Sequence, residues 1–533
     1  MKSTHLPLQD EEDVLGSQHD IPPGAVTGEA AEDSETTLAP REDQPLLQSP
    51  DADVGDAWTP PSGFGWIELA IMSNVFLYGF DGTITAATYA IISSDFDAAN
   101  TASWLTTSYL VTSTAFQPLY GRFSDIFGRR VCFFVSTITF GLGCLGCGLA
   151  NHIVVLNCMR ALTGFGGGGL MTMATIVNSD MIPFRKRGMY QAMQNGMFGF
   201  GAVAGASFGG SIADYIGWRW CFLLQVPISL VALVLGAFVI KNPEGGFDID
   251  TKDLRAVWTH VDVSGALLLV TAVSVQLIGL NLGGNELPWG SPVVVGTLVG
   301  SVVLLALFFL VEARTRAIPV IPLRMLKGRL PVLTQLSNVC AGFAAYAYLF
   351  MLPLFFQVVL LDSATKAGAR LAIPSLATPL GGLVAGIVMS RWGKLIWLIR
   401  LGALLMLFGN GLVTSLQFED SKWKYLLYIF PANLGQGIIY PSILFTTLAS
   451  FDHADHAVSA STVYLVRSLG TLIEEIRHSV TALKSAPVEV RLPVRLVYYE
   501  GIKYAFAAST AAAGISFVAA LFAHPRGLRS THK

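Results

Sequence analysis

An all-α polytopic membrane protein is predicted from three features of this 533-residue chain. It is 52% hydrophobic and only 13% charged, with a mean hydropathy of +0.55; a soluble domain carries about twice that charge fraction. Apolar runs long enough to cross a bilayer, which takes about 20 residues, recur from residue 66 almost to the end. Backbone groups in hydrocarbon must bond within their own segment, so these runs are helices.

The elements follow in chain order. Residues 1–64 hold fourteen acids against Lys2 and Arg41, with Pro, Ser and Asp filling much of the rest. Such a segment cannot bury a core and is expected to be a disordered tail. It has no basic region leading into an apolar run, so no cleavable signal peptide is expected. Spans are predicted at 66–92, 104–120, 131–150, 153–177, 193–216, 221–240, 263–282 and 292–311. After a polar linker come 332–354, 371–389, 395–416, 425–448, 457–473 and 504–523. Thirteen of these are clear; 457–473 is short. With the N-terminal tail in the cytosol, inner loops hold sixteen Lys and Arg and outer loops five. That bias orients the chain with a cytosolic N-terminus.

Small signals narrow the class. All six cysteines lie in or beside apolar runs, and Cys144-x-x-Cys147 has no second pair and no nearby His, so ordinary packing is expected. Gly164-x-Gly166-x-x-Gly169 matches a dinucleotide fingerprint, but that motif needs a preceding strand, and here it lies inside an apolar span. No G-x-x-x-x-G-K-[ST] occurs, which argues against an ATP-driven pump. His453 and His456 share a loop with Asp452 and Asp455; a solvated loop is expected there, not a metal site. In the tail, Glu42-Asp-Gln-Pro-Leu46-Leu47 fits an acidic dileucine sorting pattern, of the kind adaptor proteins use to route cargo to vacuoles.

An internal repeat divides the chain. The loop after the second span runs Gly121-Arg-Phe-Ser-Asp125-Ile-Phe-Gly128-Arg129-Arg130. After the tenth comes Gly386-Ile-Val-Met-Ser390-Arg-Trp-Gly393-Lys394, with the glycines and the base at the same spacing. Gly164-x-Gly166 in the fourth span is echoed by Gly435-x-Gly437 in the twelfth. Both echoes link a span to the one eight further on. Two six-helix halves with two helices inserted between them give that offset, and repeats of this kind accompany a midplane binding site between halves. The predicted organisation is a tail at 1–64, a first half at 65–240, inserted helices and linkers at 241–330, a second half at 331–524 and a cytosolic tail at 525–533.

Gly121 to Arg130 matches the loop signature G-x-x-x-D-x-x-G-R-R, and the chain resembles the major facilitator superfamily there. Arg160-x-x-x-Gly164-x-Gly166 is similar to the family's fourth-helix motif. Gly201-x-x-x-Gly205-Ala206-x-x-Gly209-Gly210 is similar to the fifth-helix motif of its antiporters, with Ala206 where Pro is usual. Fourteen spans resemble the drug:proton antiporter-like branch. Asn178-Ser-Asp-Met-Ile-Pro183, Arg187-Gly188, Asp214 and Gly217-Trp-Arg-Trp220 resemble the fungal vacuolar basic amino acid transporters within it. The resemblance implies a major facilitator fold and a secondary transporter, not an enzyme. It implies a small-molecule substrate and protons as the transported species, a proton gradient in place of any cofactor, a surrounding of membrane lipid, no nucleic-acid partner and a monomer.

Two charged residues stand inside spans. Asp81, near the middle of the first, costs roughly 2.5–3.5 kcal/mol at that depth on insertion scales. It is either a carboxyl held neutral, or facing water, or a group that takes up and releases a proton. Arg160, in the fourth span, either snorkels outward or faces the cavity as a base that binds carboxylate or pairs with Asp81. The resemblance implies proton coupling for both. Asp125, Arg129 and Arg130, with Gly121 and Gly128, are expected to form a gating network at the inner ends of spans two and three. Gly201, Gly205, Gly209 and Gly210 are expected to let helices approach closely.

The short span 457–473 contains Arg467 and runs directly into Glu474-Glu475. In the resembled family the helix continues well past this point, so a piece is expected to be absent near Thr471. Arg526, Arg529 and Lys533 favour a cytosolic C-terminus and an even span count. The leading expectation is proton-coupled transport of amino acids, basic ones foremost, across the vacuolar membrane. The alternatives are efflux of drugs or a toxic metabolite at the plasma membrane, and a non-transporting receptor on the same fold.

Overall fold

The computed structural model describes residues 58–96, 104–240, 261–284, 286–315, 317–362, 366, 370–371, 374–417, 420–451, 455–471 and 488–523. The described chain is helical throughout its spans. In the first half α1 is Phe64–Asp95, α2 Trp104–Phe127, α3 Arg129–Leu149, α4 Ile153–Met181 and α5 Phe184–Tyr215. The sixth span is α6, Arg219–Leu223, followed by α7, Gln225–Val239. The inserted pair is α8, Val263–Leu282, and α9, Pro292–Arg314. The second half contains α10 (Arg329–Leu354), α11 (Ala377–Trp392), α12 (Leu395–Thr414), α13 (Lys422–Leu427), α14 (Phe430–Ala449), α15 (His456–Thr471) and α16 (Val488–Phe522). Eight helices among the described residues are long and apolar enough to cross a membrane.

Packing repeats with the eight-span offset seen in the sequence. In the first half α1 packs on α5 and α7, α4 on α2 and α3, and α3 on α7. In the second, α10 packs on α15 and α16, α14 on α11 and α12, and α12 on α16. The inserted α8 and α9 pack on each other, and α8 lies against α2. The glycine echo is shifted by two residues from the alignment expected above. A Cβ on Gly166 would run into Ser136 and Phe140 of α3, and one on Gly168 into Ser113 of α2. Gly435 stands in the same way against Gly402 and Met406 of α12, and Gly437 against Thr378 of α11. Gly166 and Gly168 are therefore the structural counterparts of Gly435 and Gly437, because close approach to the flanking helices, not spacing from Arg160, sets the register.

The two halves meet through α2 against α15 and α5 against α11. The described contacts begin at the inner ends, assigned to the cytosol by the Lys and Arg bias, and continue to about mid-depth. A Cβ on Gly121 would overlap Ala457 and Ser461; Gly188 faces Gly386 and Met389; the Tyr464 and Thr175 hydroxyls are 2.7 Å apart. The linker after α9 is tied beneath this junction. Glu312 accepts the Ile321 N–H at 2.6 Å, and Arg324 pairs with Asp455, just before α15, at 2.6 Å.

The thirteenth span is described only as far as Thr471. α15 has 16 residues, about 24 Å at 1.5 Å per residue, against a hydrocarbon core of about 30 Å. Its last turn lies beside the middle of α10: Cβ atoms on Gly470 and Gly342 would meet the Val339 and Arg467 carbonyls respectively. Residues 472–487, where the missing piece was expected, lie outside the described residues. The last helix begins well before the predicted 504. Its 35 residues, Val488–Phe522, span about 52 Å; along it Arg495 donates to the Val359 carbonyl, and Phe522 lies under the Arg329 guanidinium. Arg400 at the start of α12 also caps its final carbonyls. The chain therefore ends its last span on the inner side.

Candidate functional site

Asp81 and Arg160 come together across 79 residues of sequence in the interior of the first half. Asp81 lies near the middle of the 32-residue α1 and is 0% exposed; Arg160 is 1% exposed. Both Asp81 oxygens accept from Arg160 Nη1, at 2.9 and 2.8 Å. Arg160 Nε donates to the Leu105 carbonyl at 3.1 Å, and its guanidinium lies 4.6 Å from the Tyr109 ring centroid. Arg160 thus pairs inward and does not snorkel. Gly167 makes room for Tyr109: a Cβ there would lie 2.7 Å from the phenol oxygen.

A third member was missed in the sequence. Gln225 Nε2 donates to Asp81 Oδ1 at 3.2 Å and to the Cys221 carbonyl at 3.1 Å. It begins α7, just after the break at Leu224 between α6 and α7. A lone amide two residues before Pro227 in an otherwise apolar run was the available signal. A buried charge pair is stable only when its remaining lone pairs and protons are also satisfied, and Gln225, Leu105 and Tyr109 do this from three sides. Chemically, the arrangement holds a buried carboxylate near the middle of α1 against a buried cation.

At the inner ends of α2 and α3, Asp125 accepts from Arg129 Nη1 at 2.6 Å and lies 3.7 Å from Arg122 Nη1. Arg129 Nε reaches Asp180 on α4 at 2.8 Å. Asp180 is a further partner that spacing along the loop could not reveal. Arg130 donates to the Ala237 carbonyl at 3.0 Å and lies over the Phe134 ring. Gly128 has φ +90°, a conformation that only glycine adopts cheaply, and it turns the chain sharply between α2 and α3. Of the α5 glycines, Gly201 and Gly205 bring α5 against the Phe76 and Phe80 carbonyls of α1, and Gly79 returns the approach toward Phe198. The Gly209 carbonyl accepts from Cys221 Sγ at 3.6 Å, while Gly210 has open space beside it.

The second half has its own half-buried cation. Arg467 Nε donates to Asn338 Oδ1 at 3.3 Å, and its guanidinium lies 3.9 Å from the Tyr440 ring and 5.4 Å from that of Tyr464. The charge that counted against a thirteenth span therefore has a built place at mid-depth. Glu42, Leu46, Leu47 and His453 lie outside the described residues. His456 Nδ1 stands 3.5 Å from Arg187, and no group of metal-ligating side chains occurs among the described residues.

Two pseudo-symmetric helical halves around intramembrane charges define a multi-pass secondary transporter rather than an enzyme. The chain belongs to the Major Facilitator Superfamily, whose family model matches residues 71–473. It is 48% identical over 379 residues to Vacuolar basic amino acid transporter 2 of Saccharomyces cerevisiae, covering 69% of this chain and 79% of that protein. It is 47% identical over 408 residues to Uncharacterized transporter C460.03 of Schizosaccharomyces pombe, covering 76% and 71%. Efflux pump FUS6 of Gibberella fujikuroi is 30% identical over 414 residues, covering 77% and 73%. These similarities fit the drug:proton antiporter-like branch. In fold, the chain is similar to the proton:xylose symporter XylE bound to 6-bromo-6-deoxy-D-glucose. The TM-score is 0.58 at 16% identity, covering 87% of this chain and 96% of that one.

Proposed function

We propose that the chain is a proton-coupled secondary transporter that moves amino acids, basic ones foremost, across the vacuolar membrane by alternating access. The observation that carries the coupling is the sealed Asp81–Arg160 pair: an ionisable pair at that depth is costly and marks a proton or substrate path. A proton arriving on Asp81 neutralises the carboxylate and weakens its hold on Arg160, which keeps the Leu105 carbonyl and the Tyr109 ring. The freed guanidinium can then respond to substrate, and loss of the proton on the opposite face restores the pair. The proton gradient stands in place of a cofactor, and the unit is a monomer. Asp125, Arg129 and Asp180 clamp the inner ends of α2, α3 and α4 in the cytosol-closed arrangement, and the halves separate at α2–α15 and α5–α11 to open it.

The substrate class and membrane rest on the similarity to the Saccharomyces cerevisiae vacuolar transporter, and the Glu42–Leu47 string supplies a sorting-adaptor signal for that destination. Similarity to an efflux pump at lower identity supports the second reading, export of a drug or metabolite at the plasma membrane. Uptake of labelled lysine, arginine and histidine into intact vacuoles, with and without a protonophore, tests the first. Gradient-dependent accumulation is expected; its absence, with drug sensitivity on gene deletion, would favour the second.

A further inference from the structure

A second set of buried polar groups lies nearer the inner face, apart from the Asp81 pair. Glu68, just over one turn into α1, is 9% exposed, and the one side chain its carboxylate meets is the Asn178 amide. Asn178 on α4 is 6% exposed, and its side-chain oxygen has no partner. Gln194 on α5 is fully buried; its Nε2 bonds the Ala174 carbonyl at 3.2 Å while Oε1 has no partner. Asn178 and Gln194 line a cavity of about 10 Å³ with Thr175, Gln191, Arg187 and, from the other half, Phe445, room for about one water.

Unpartnered buried polar atoms are costly and persist where another state of the molecule satisfies them. With Glu68 meeting the Asn178 amide, what is left without a donor is a set of acceptors: a Glu68 oxygen, Asn178 Oδ1 and Gln194 Oε1. The missing complement is a group rich in N–H donors that carries positive charge. Arg187, the one charged lining residue, is the complement of a carboxylate. The walls come from α4 and α5 of one half and α14 of the other, so the cavity widens when the halves part on the cytosolic side.

We propose that this cluster is a cytosol-side subsite for an amino acid, with Glu68 as counter-ion for its ammonium or guanidinium side chain and Arg187 facing its α-carboxylate. The subsite rests on the transport reading above and names the residues that select a cationic substrate. Intact vacuoles present their cytosolic face outward, so initial rates of labelled lysine uptake read the subsite directly. Glu68→Gln should raise KM for lysine at least tenfold while Vmax per molecule holds, and Glu68→Asp should return KM toward wild type. An unchanged KM, a fall in Vmax alone, or loss of gradient dependence without a KM change would overturn the subsite. Should Glu68→Gln fail to reach the vacuole, Glu68→Asp and Asn178→Ser carry the same KM readout, with increases expected for both. Thermal stabilisation of purified wild-type protein by lysine separates the two readings. Wild type that neither carries nor is stabilised by lysine sinks the transport reading and the subsite together; wild type that does both, with Glu68→Gln indistinguishable from it, sinks the subsite alone.

Discussion

Asp81→Asn should unbalance the interior of the first half and abolish coupling, and the structure indicates by how much. The substitution removes the charge that accepts twice from Arg160 Nη1, at 2.9 and 2.8 Å, in a site where Asp81 is 0% and Arg160 1% exposed. Removing one partner of a buried ion pair costs about 3–5 kcal/mol, chiefly because the other charge is left uncompensated. Arg160→Gln should cost a similar amount for the same reason. The double substitution removes both charges, and a coupling of about 3 kcal/mol, at the upper end for residues in contact, should leave its loss about 3 kcal/mol short of the sum of the two single losses. Transport should separate from stability: the double variant is expected to fold and reach the membrane yet lose proton-driven accumulation. Thermal melts of the purified variants and protonophore-sensitive uptake in vesicles measure the two quantities. Additive losses in the double variant, or full gradient-driven uptake by Asp81→Asn, would refute the reasoning.

Three further expectations follow from other parts of the molecule. Gly121→Val places side-chain atoms where Ala457 and Ser461 already stand, so the inner ends of α2 and α15 should be held apart. A cysteine at position 461 on an otherwise cysteine-free chain should then label faster from the cytosol, with uptake reduced at least tenfold; wild-type labelling would show that the gate closes regardless. Leu46→Ala with Leu47→Ala should shift a tagged protein from vacuole to plasma membrane, and an unchanged vacuolar signal would make the string a chance match. For the thirteenth span, cDNA from the source is expected to carry additional apolar codons after Thr471, and inserting them should raise both thermal stability and uptake. Active transport by the chain as written, with a matching cDNA, would show that α15 suffices.

The short thirteenth span shows how far sequence and structure each reach. α15 is described over 16 residues and its counterpart by repeat, α5, over 32; in the sequence the short span is read from the polar run that begins at Glu474. That Arg467 is held by Asn338 and Tyr440 was not visible, because those partners come from two other helices. The family match ends at residue 473, close to where the described helix stops at Thr471.

Sequence alone determined the helical class, the order of the spans and the eight-span repeat, and it set the expected direction of the first helix. Those properties are written along one dimension, in hydropathy, in Lys and Arg placement, and in glycine spacing. It also singled out Asp81 and Arg160, because a charge in an apolar run stands out without knowledge of its neighbours. Tertiary structure decided the rest. It set Gln225 and Tyr109 around the pair, Asp180 on Arg129, the two-residue shift that matches Gly166 and Gly168 with Gly435 and Gly437, and the placing of Glu68 beside Asn178. Each depends on how far a helix is rotated and raised against its neighbours. That rotation is settled by side-chain and backbone packing among several helices at once, so no spacing within a single helix encodes it.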